Sequence, residues 1–251
     1  MLRTVLLPVG AAAILSAVAC PALADPVPAA APALTASSAA AIVGLQFVVI
    51  GDSGNDVAVS GNAPPAYNKK TIRSTFAKTT QILGGLTFKR SATSIQSIAA
   101  GHANATTGIA ATASATVGSF RGTLSSRLGP LITVTTGKIS SHSSFTQTKA
   151  GVPSVKGGTS LVSLKINAPA LGINKTFSGT PKPNQVLFRN GDNSIIIYLN
   201  RQITTKVNNK VAALAVDAVD VQIRNFKIAG NTISGDITVA PTVAHRYRPV
   251  L

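Results

Sequence analysis

Hydrophobic and polar residues alternate with a period of two along much of the chain. In SLVSLKINA, Val162, Leu164 and Ile166 fall on one side and Ser163, Lys165 and Asn167 on the other. In VDVQIRN, Val219, Val221 and Ile223 oppose Asp220, Gln222 and Arg224. SIIIYLNRQ places Ile195, Ile197 and Leu199 together. Successive side chains of a strand point to opposite faces of its sheet, so this is the pattern of half-buried antiparallel strands. Helical spacing is nowhere sustained. The nearest approach, TIRSTFAKTTQIL at 71–83, is rich in Thr and Ser and predicts a strand or a mixed connection.

Turn residues separate these runs. Asn190-Gly191, between QVLF and SIIIYL, predicts a hairpin with positive φ at both central residues. AGNT (229–232) plays the same part between VQIRNFKI and TISGDITVA. Strand-sized runs at this spacing predict an all-β, antiparallel β-sandwich, with a barrel or β-solenoid as the alternative. No repeat of fixed length supports the solenoid.

The ends differ from the middle. Arg3, the apolar run from Val5 to Ala19 and Ala22-Leu23-Ala24 have the order of a secretory signal peptide over 1–24. Residues 25–42, rich in Pro, Ala and Ser, read as a flexible spacer. A single β-domain is then expected over 43–240, followed by a basic tail over 241–251. Cys20 is the only cysteine, so cleavage after Ala24 leaves a mature chain without disulfides. No second long apolar segment offers a transmembrane anchor. The expected address is secreted: extracellular, surface-associated or periplasmic.

Charge narrows the partners. The chain carries 23 Lys and Arg against seven Asp and no Glu, a net +16. Such a field attracts anionic partners such as lipopolysaccharide and acidic glycans. Basic residues cluster only at NKK (68–70), FKR (88–90) and HRYR (245–248), and no nucleic-acid-binding motif accompanies them.

Candidate chemistry starts at FVVIGDSGNDV (47–57), where Gly-Asp-Ser follows an apolar strand as in some secreted esterases. Catalysis by Ser53 would need a His base oriented by an acid. His102, His142 and His245 have no Asp two or three residues before them, so GDSGND reads as a turn. Asp217 and Asp220, the remaining carboxylate pair, stand three apart on a strand and are expected on opposite faces, which excludes a paired-carboxylate glycosidase. The three histidines are widely separated, so no zinc site is expected. Asp52, Asn55 and Asp56 offer oxygen ligands without the spacing of a calcium loop. No Trp is present, and Tyr67, Tyr198 and Tyr247 are the only tyrosines. The eight Phe are expected in the core, so a sugar-stacking platform is not. No catalytic, cofactor-binding or metal-ligating residue is assigned.

The C-terminal half resembles the choice-of-anchor P family of bacterial secreted and surface proteins. The resemblance rests on GGTSLVSLKINA (157–168), PNQVLF (183–188), IIYLNRQ (196–202), AVDAVDVQI (215–223) and ISGDITVA (233–240), in that order. Asn200 and Gln202, Ala218 and Val221, and Gly235 and Asp236 occupy its motif positions. SATVGSF (114–120) and LITVTTGKISSHSS (131–144) fit it more loosely. Asp220 stands where the family often has His, and no C-terminal anchor of the kind the family is named for is visible. The resemblance implies a secreted, surface-associated β-domain and no reaction. The expected function is therefore non-catalytic: a structural or surface-matrix role, with self-association through strand edges. A charge-driven module for anionic envelope polymers is the alternative.

Overall fold

The computed structural model describes residues 35–47, 54–82, 85–104, 106–228 and 231–247. The leader at 1–24 and Ser53 lie outside them. Among the described residues sixteen strands follow one another. The first eight are β1 (Thr35–Ala40), β2 (Val43–Phe47), β3 (Gly54–Asp56), β4 (Val59–Ala63), β5 (Tyr67–Ile82), β6 (Leu86–Asn104), β7 (Gly108–Val117) and β8 (Ser119–Ser126). The rest are β9 (Gly129–Thr136), β10 (Ile139–Gln147), β11 (Pro153–Ala168), β12 (Ile173–Gly179), β13 (Gln185–Arg189), β14 (Ile195–Val207), β15 (Lys210–Ile228) and β16 (Asn231–Tyr247). The all-β expectation holds, and TIRSTFAKTTQIL lies within strand β5 and the residue after it.

The strands form two antiparallel sheets. Sheet I runs β13-β14-β15-β16 and then β1 with β2, which lie end to end along β16. β4 pairs with β1 and β3 with β2. Sheet II is a meander. β5 pairs with β6, and β7 and β8 lie end to end along the far side of β6. β10 and β9 follow along β7 and β8, then β11, then β12. β5 and β12 each pair on one side only, so the sheet does not close. The architecture is a sandwich and not a barrel.

Each end-to-end break belongs to a seam of bulges crossing its sheet. In sheet II, Ser94 has φ 50°, and the Gly118 N–H donates to Thr93 O at 2.9 Å. Gly137 N–H donates to Val162 O at 2.9 Å, and Ser163 has φ 54°. In sheet I the pairing skips Asn200, Ala218 and Ala240. Asn200 and Ala240 have φ 49° and 50°. An extra residue in a strand reverses which side chains face inward. This corrects the simple alternation read for SLVSLKINA. Leu161 is buried before the seam and Leu164 and Ile166 after it, while Val162 is 46% exposed.

The seams divide the interior into two packing environments. At one end large side chains interlock, among them Phe88, Phe120, Ile42, Ile95, Leu164 and Ile197. At the other, Ala36, Ala63, Ala111 and Ala244 surround Ile109 and Phe145. Small residues let the sheets approach more closely than the ~10 Å of ordinary face-to-face packing. Side chains of one sheet therefore reach the other. Ser97 Oγ donates to Val57 O at 2.9 Å, Gln202 Nε2 to Gly157 O at 3.1 Å, and Ser38 Oγ bonds Tyr67 Oη at 2.8 Å. Ser141 Oγ donates to Ala240 O. A Cβ on Gly157 would lie 2.6 Å from Val216 Cγ2.

This close packing corrects the expected domain boundaries. Thr35–Ala40, assigned to the spacer, is strand β1 in the interior of sheet I, with Ala36, Ser38 and Ala40 buried. The small residues that made the segment look like a linker are those the narrow end of the sandwich admits. The tail loses 241–247 to β16, where Thr242 and Ala244 are buried. The hairpin at Asn190 forms, but over five residues. Asn190 Oδ1 accepts from the Ile195 N–H at 2.8 Å, and the left-handed residue is Asn193 (φ 57°) instead of the Asn190-Gly191 pair. The hairpin expected at AGNT joins paired Ile228 and Asn231, and its residues 229–230 lie outside the described ones. Of GDSGND, read as a turn, residues 51–53 lie outside the described ones, and Gly54–Asp56 is strand β3, paired antiparallel with β2.

Candidate functional site

Residues 67–179 build all of sheet II. They contain 13 of the 23 Lys and Arg and none of the seven Asp. One carboxylate enters from the other sheet. Asp56 of β3 pairs with Arg90 Nε and lies 3.4 Å from Lys78 Nζ. Arg90 is nearly inaccessible, and its Nη1 also donates to Thr80 Oγ1 at 2.7 Å. A buried guanidinium costs desolvation unless paired and hydrogen-bonded, and both conditions are met. Asp56, a candidate calcium ligand by sequence, is thus committed to two cations.

The outer face of sheet II is polar across its width. One cross-strand row is Ala77, Ser91, Arg121, Thr135, Lys165 and Thr176. The next is Thr79, Lys89, Thr123, Thr133, Asn167 and Asn174. Six strands at 4.7–4.9 Å spacing make a face about 24 Å wide. Beyond the seam the rows continue as Ile98, Ser114, His142 and Gly158, then Ala100, Thr112, Ser144 and Lys156. β-branched Thr and small Ser suit a strand's exposed side, and here they alternate with the buried Ile132, Val134, Ala113 and Ala115. Hydroxyls, amides and cations predominate, with Ala77, Ile98 and Ala100 between them, and among the described residues no carboxylate stands in these rows.

A depression of about 530 Å³ opens over β5, β6 and β8, lined by Ala77, Lys78, Thr79, Lys89, Arg90, Ser91, Arg121 and Thr123. Its floor is low because Ala77 and Ser91 are short, and its walls are the long side chains of Lys89 and Arg121.

Carboxylates gather instead on sheet I. The seam at Ala218 places Asp217 and Asp220 on the same outer face, correcting the expectation of opposite faces. Leu214 and Val216 face β11 before the seam, and Val219 and Val221 join the core after it, leaving both aspartates outward. Asp220 pairs with Arg201 and accepts from Gln222 Nε2 at 3.1 Å, while its Oδ1 has no partner. Arg201 also lies 5.5 Å from the Tyr198 ring. Asp236 pairs with Arg224. Burial, reinforced by Asp220, pushes the Asp217 carboxyl up to about 7. Burial pushes Asp220 up to about 6 against the pull of Arg201. Asp217 and Asp220 are thus a buried, coupled carboxylate pair, only Asp220 of which is ion-paired, with protons held near neutrality.

The motif residues of the C-terminal half interlock structurally. Asn184 (φ 56°) accepts through Oδ1 from the Gln202 N–H at 2.7 Å. Asn200 donates to Pro181 O at 2.9 Å, and Gln202 Nε2 to Asn200 Oδ1 at 3.1 Å. The fold does not gather the histidines. His102 and His142 lie on β6 and β10 of sheet II, and His245 on β16, half-buried, with its pKa lowered by burial. Among the described residues no three His, Cys, Asp or Glu stand together as metal ligands. Phe88, Phe120 and Phe145 are buried as expected, and Phe76, Phe177, Phe188 and Phe226 pack against the core.

Sequence reasoning treated the cations as scattered and missed the acid-free span that makes one sheet face unipolar. The signal was available as the absence of Asp from 67–179. No protein-family model matches this chain, and no curated protein matches it.

Proposed function

We propose that this chain is an exported, non-catalytic β-sandwich that binds anionic polymers of the cell envelope through the outer face of sheet II. The acid-free cationic face carries the reading. Lys89, Arg121 and Lys165 stand along its two central rows, and every described Asp belongs to the other sheet or its connections. A field of one sign over a flat face concentrates polyanions. The Thr, Ser and Asn side chains between the cations offer hydrogen bonds along a hydrated polymer. No aromatic ring lies in the two rows for sugars to stack on, so charge supplies the affinity. The secretory leader read in the sequence and the resemblance to choice-of-anchor P proteins both agree with an envelope location.

Strand-edge self-association is less well supported. The longest free edge, β5, carries Lys69, Lys70, Arg73 and Lys78, and pairing two such edges would bring like charges together.

The test is co-sedimentation with lipopolysaccharide and with polygalacturonate at low and high salt. Binding is expected to fall steeply as salt rises and to be lost in the Lys89→Gln/Arg121→Gln/Lys165→Gln variant. Binding that survives both changes would refute the reading.

A further inference from the structure

We infer that the depression over β5, β6 and β8 is a binding site for a phosphomonoester group; the inference rests on the polyanion-binding reading and narrows it to a ligand class. Lys89 and Arg121 stand on neighbouring strands as diagonal partners, since Lys89 faces Thr123 and Arg121 faces Ser91. Diagonal positions on paired strands are ~7–8 Å apart, within joint reach of two long side chains closing on one group. The floor between them is short-chained, Ala77 and Ser91, and leaves the 530 Å³ opening.

Charge beneath the floor adds to that above it. Lys78 and Arg90 belong to the same two strands but turn to the inner side, where they share the single carboxylate of Asp56. Four cations and one carboxylate leave the region at +3. A carboxylate ligand would offset one of these charges with two oxygens. A phosphomonoester brings about −1.5 to −2 and three acceptor oxygens at pH 7. The Arg121 guanidinium can hold two oxygens in its planar fork, and Lys89 can meet the third as a point charge. Thr79 and Thr123 beside Lys89 and Ser91 on the floor add hydroxyls suited to a hydroxylated carrier, a phosphorylated saccharide or a phospholipid headgroup. No ring is present to recognise the carrier's apolar side, so the phosphate is the recognised element.

The experiment is calorimetric titration of the protein with inorganic phosphate, glycerol 3-phosphate and galacturonate, together with flotation on vesicles containing phosphatidate. Expected are preference for the phosphomonoesters over galacturonate, competition between glycerol 3-phosphate and lipopolysaccharide, and at least tenfold weaker binding in Arg121→Gln and in Lys89→Gln. Lys156→Gln, beyond the seam on the same face, should leave the affinity for the small ligands unchanged. Binding of the soluble ester assigns a saccharide-type carrier, and binding of phosphatidate vesicles alone assigns a lipid; either supports the site. Equal affinity for galacturonate, or equal damage from Lys156→Gln, would overturn the site while leaving diffuse polyanion binding intact. Failure of the protein to bind lipopolysaccharide at any salt would remove the broader reading as well.

Discussion

Asp217→Asn should make the protein more stable at pH 8 and remove most of its stability loss between acid and neutral pH. The Asp217 carboxyl, buried beside Asp220, titrates at about 7 instead of 3.8. Between those two values the folded state binds a proton that the unfolded state has released. Stability therefore falls as pH rises from ~4 and levels off above ~7. At 1.36 kcal/mol per unit, the shift corresponds to about 4 kcal/mol. Asp220 acts in the same direction with a smaller shift, and the two titrate as a coupled pair. His245, whose pKa is lowered by burial, works oppositely below pH 6.5, so the informative quantity is the difference between wild type and variant. Urea unfolding midpoints at pH 5 and pH 8 measure it. The expected result is a gain of roughly 1–2 kcal/mol for Asp217→Asn at pH 5, where the unfolded carboxyl is already ionised, rising to roughly 2–4 kcal/mol at pH 8. A variant no more stable than wild type at pH 8 would show that Asp217 is solvated or paired, and the account of the cluster would be wrong.

Two further substitutions probe the fold. Phe145→Ala empties the largest side chain of the narrow end, where the surrounding alanines cannot collapse into the space, and should cost about 3–5 kcal/mol in chemical denaturation. Asn200→Ala removes both a left-handed conformation that Asn tolerates and the bond to Pro181 O. It should cost about 1–3 kcal/mol, with Asn200→Gly recovering part of the loss because Gly restores the backbone freedom alone. Equal destabilisation by Ala and Gly would place the whole cost in the hydrogen bond.

Local chemistry was enough to determine the class of fold. Alternation in VDVQIRN and SIIIYLNRQ placed Val219, Val221, Ile223, Ile195, Ile197 and Leu199 in the core, and the structure buries all six. Strand period is a property of the backbone, so it needs no knowledge of partners. The seams were invisible for the opposite reason. A bulge is a relation between two strands, and nothing in Leu-Asn-Arg-Gln or Val-Asp-Ala-Val-Asp says where the pairing skips. Only tertiary structure could decide that Asp217 and Asp220 share a face, that Val162 turns outward, and that the Ala-Ser segment at 35–40 is a strand fitted to a narrow gap. The candidate binding face was divided in the same way. The lack of acid between residues 67 and 179 is written in the sequence, but the meander brings Lys89 and Arg121, 32 positions apart, onto neighbouring strands around one depression. Charge composition travels with the residues; charge geometry depends on strand register, which long-range pairing alone sets.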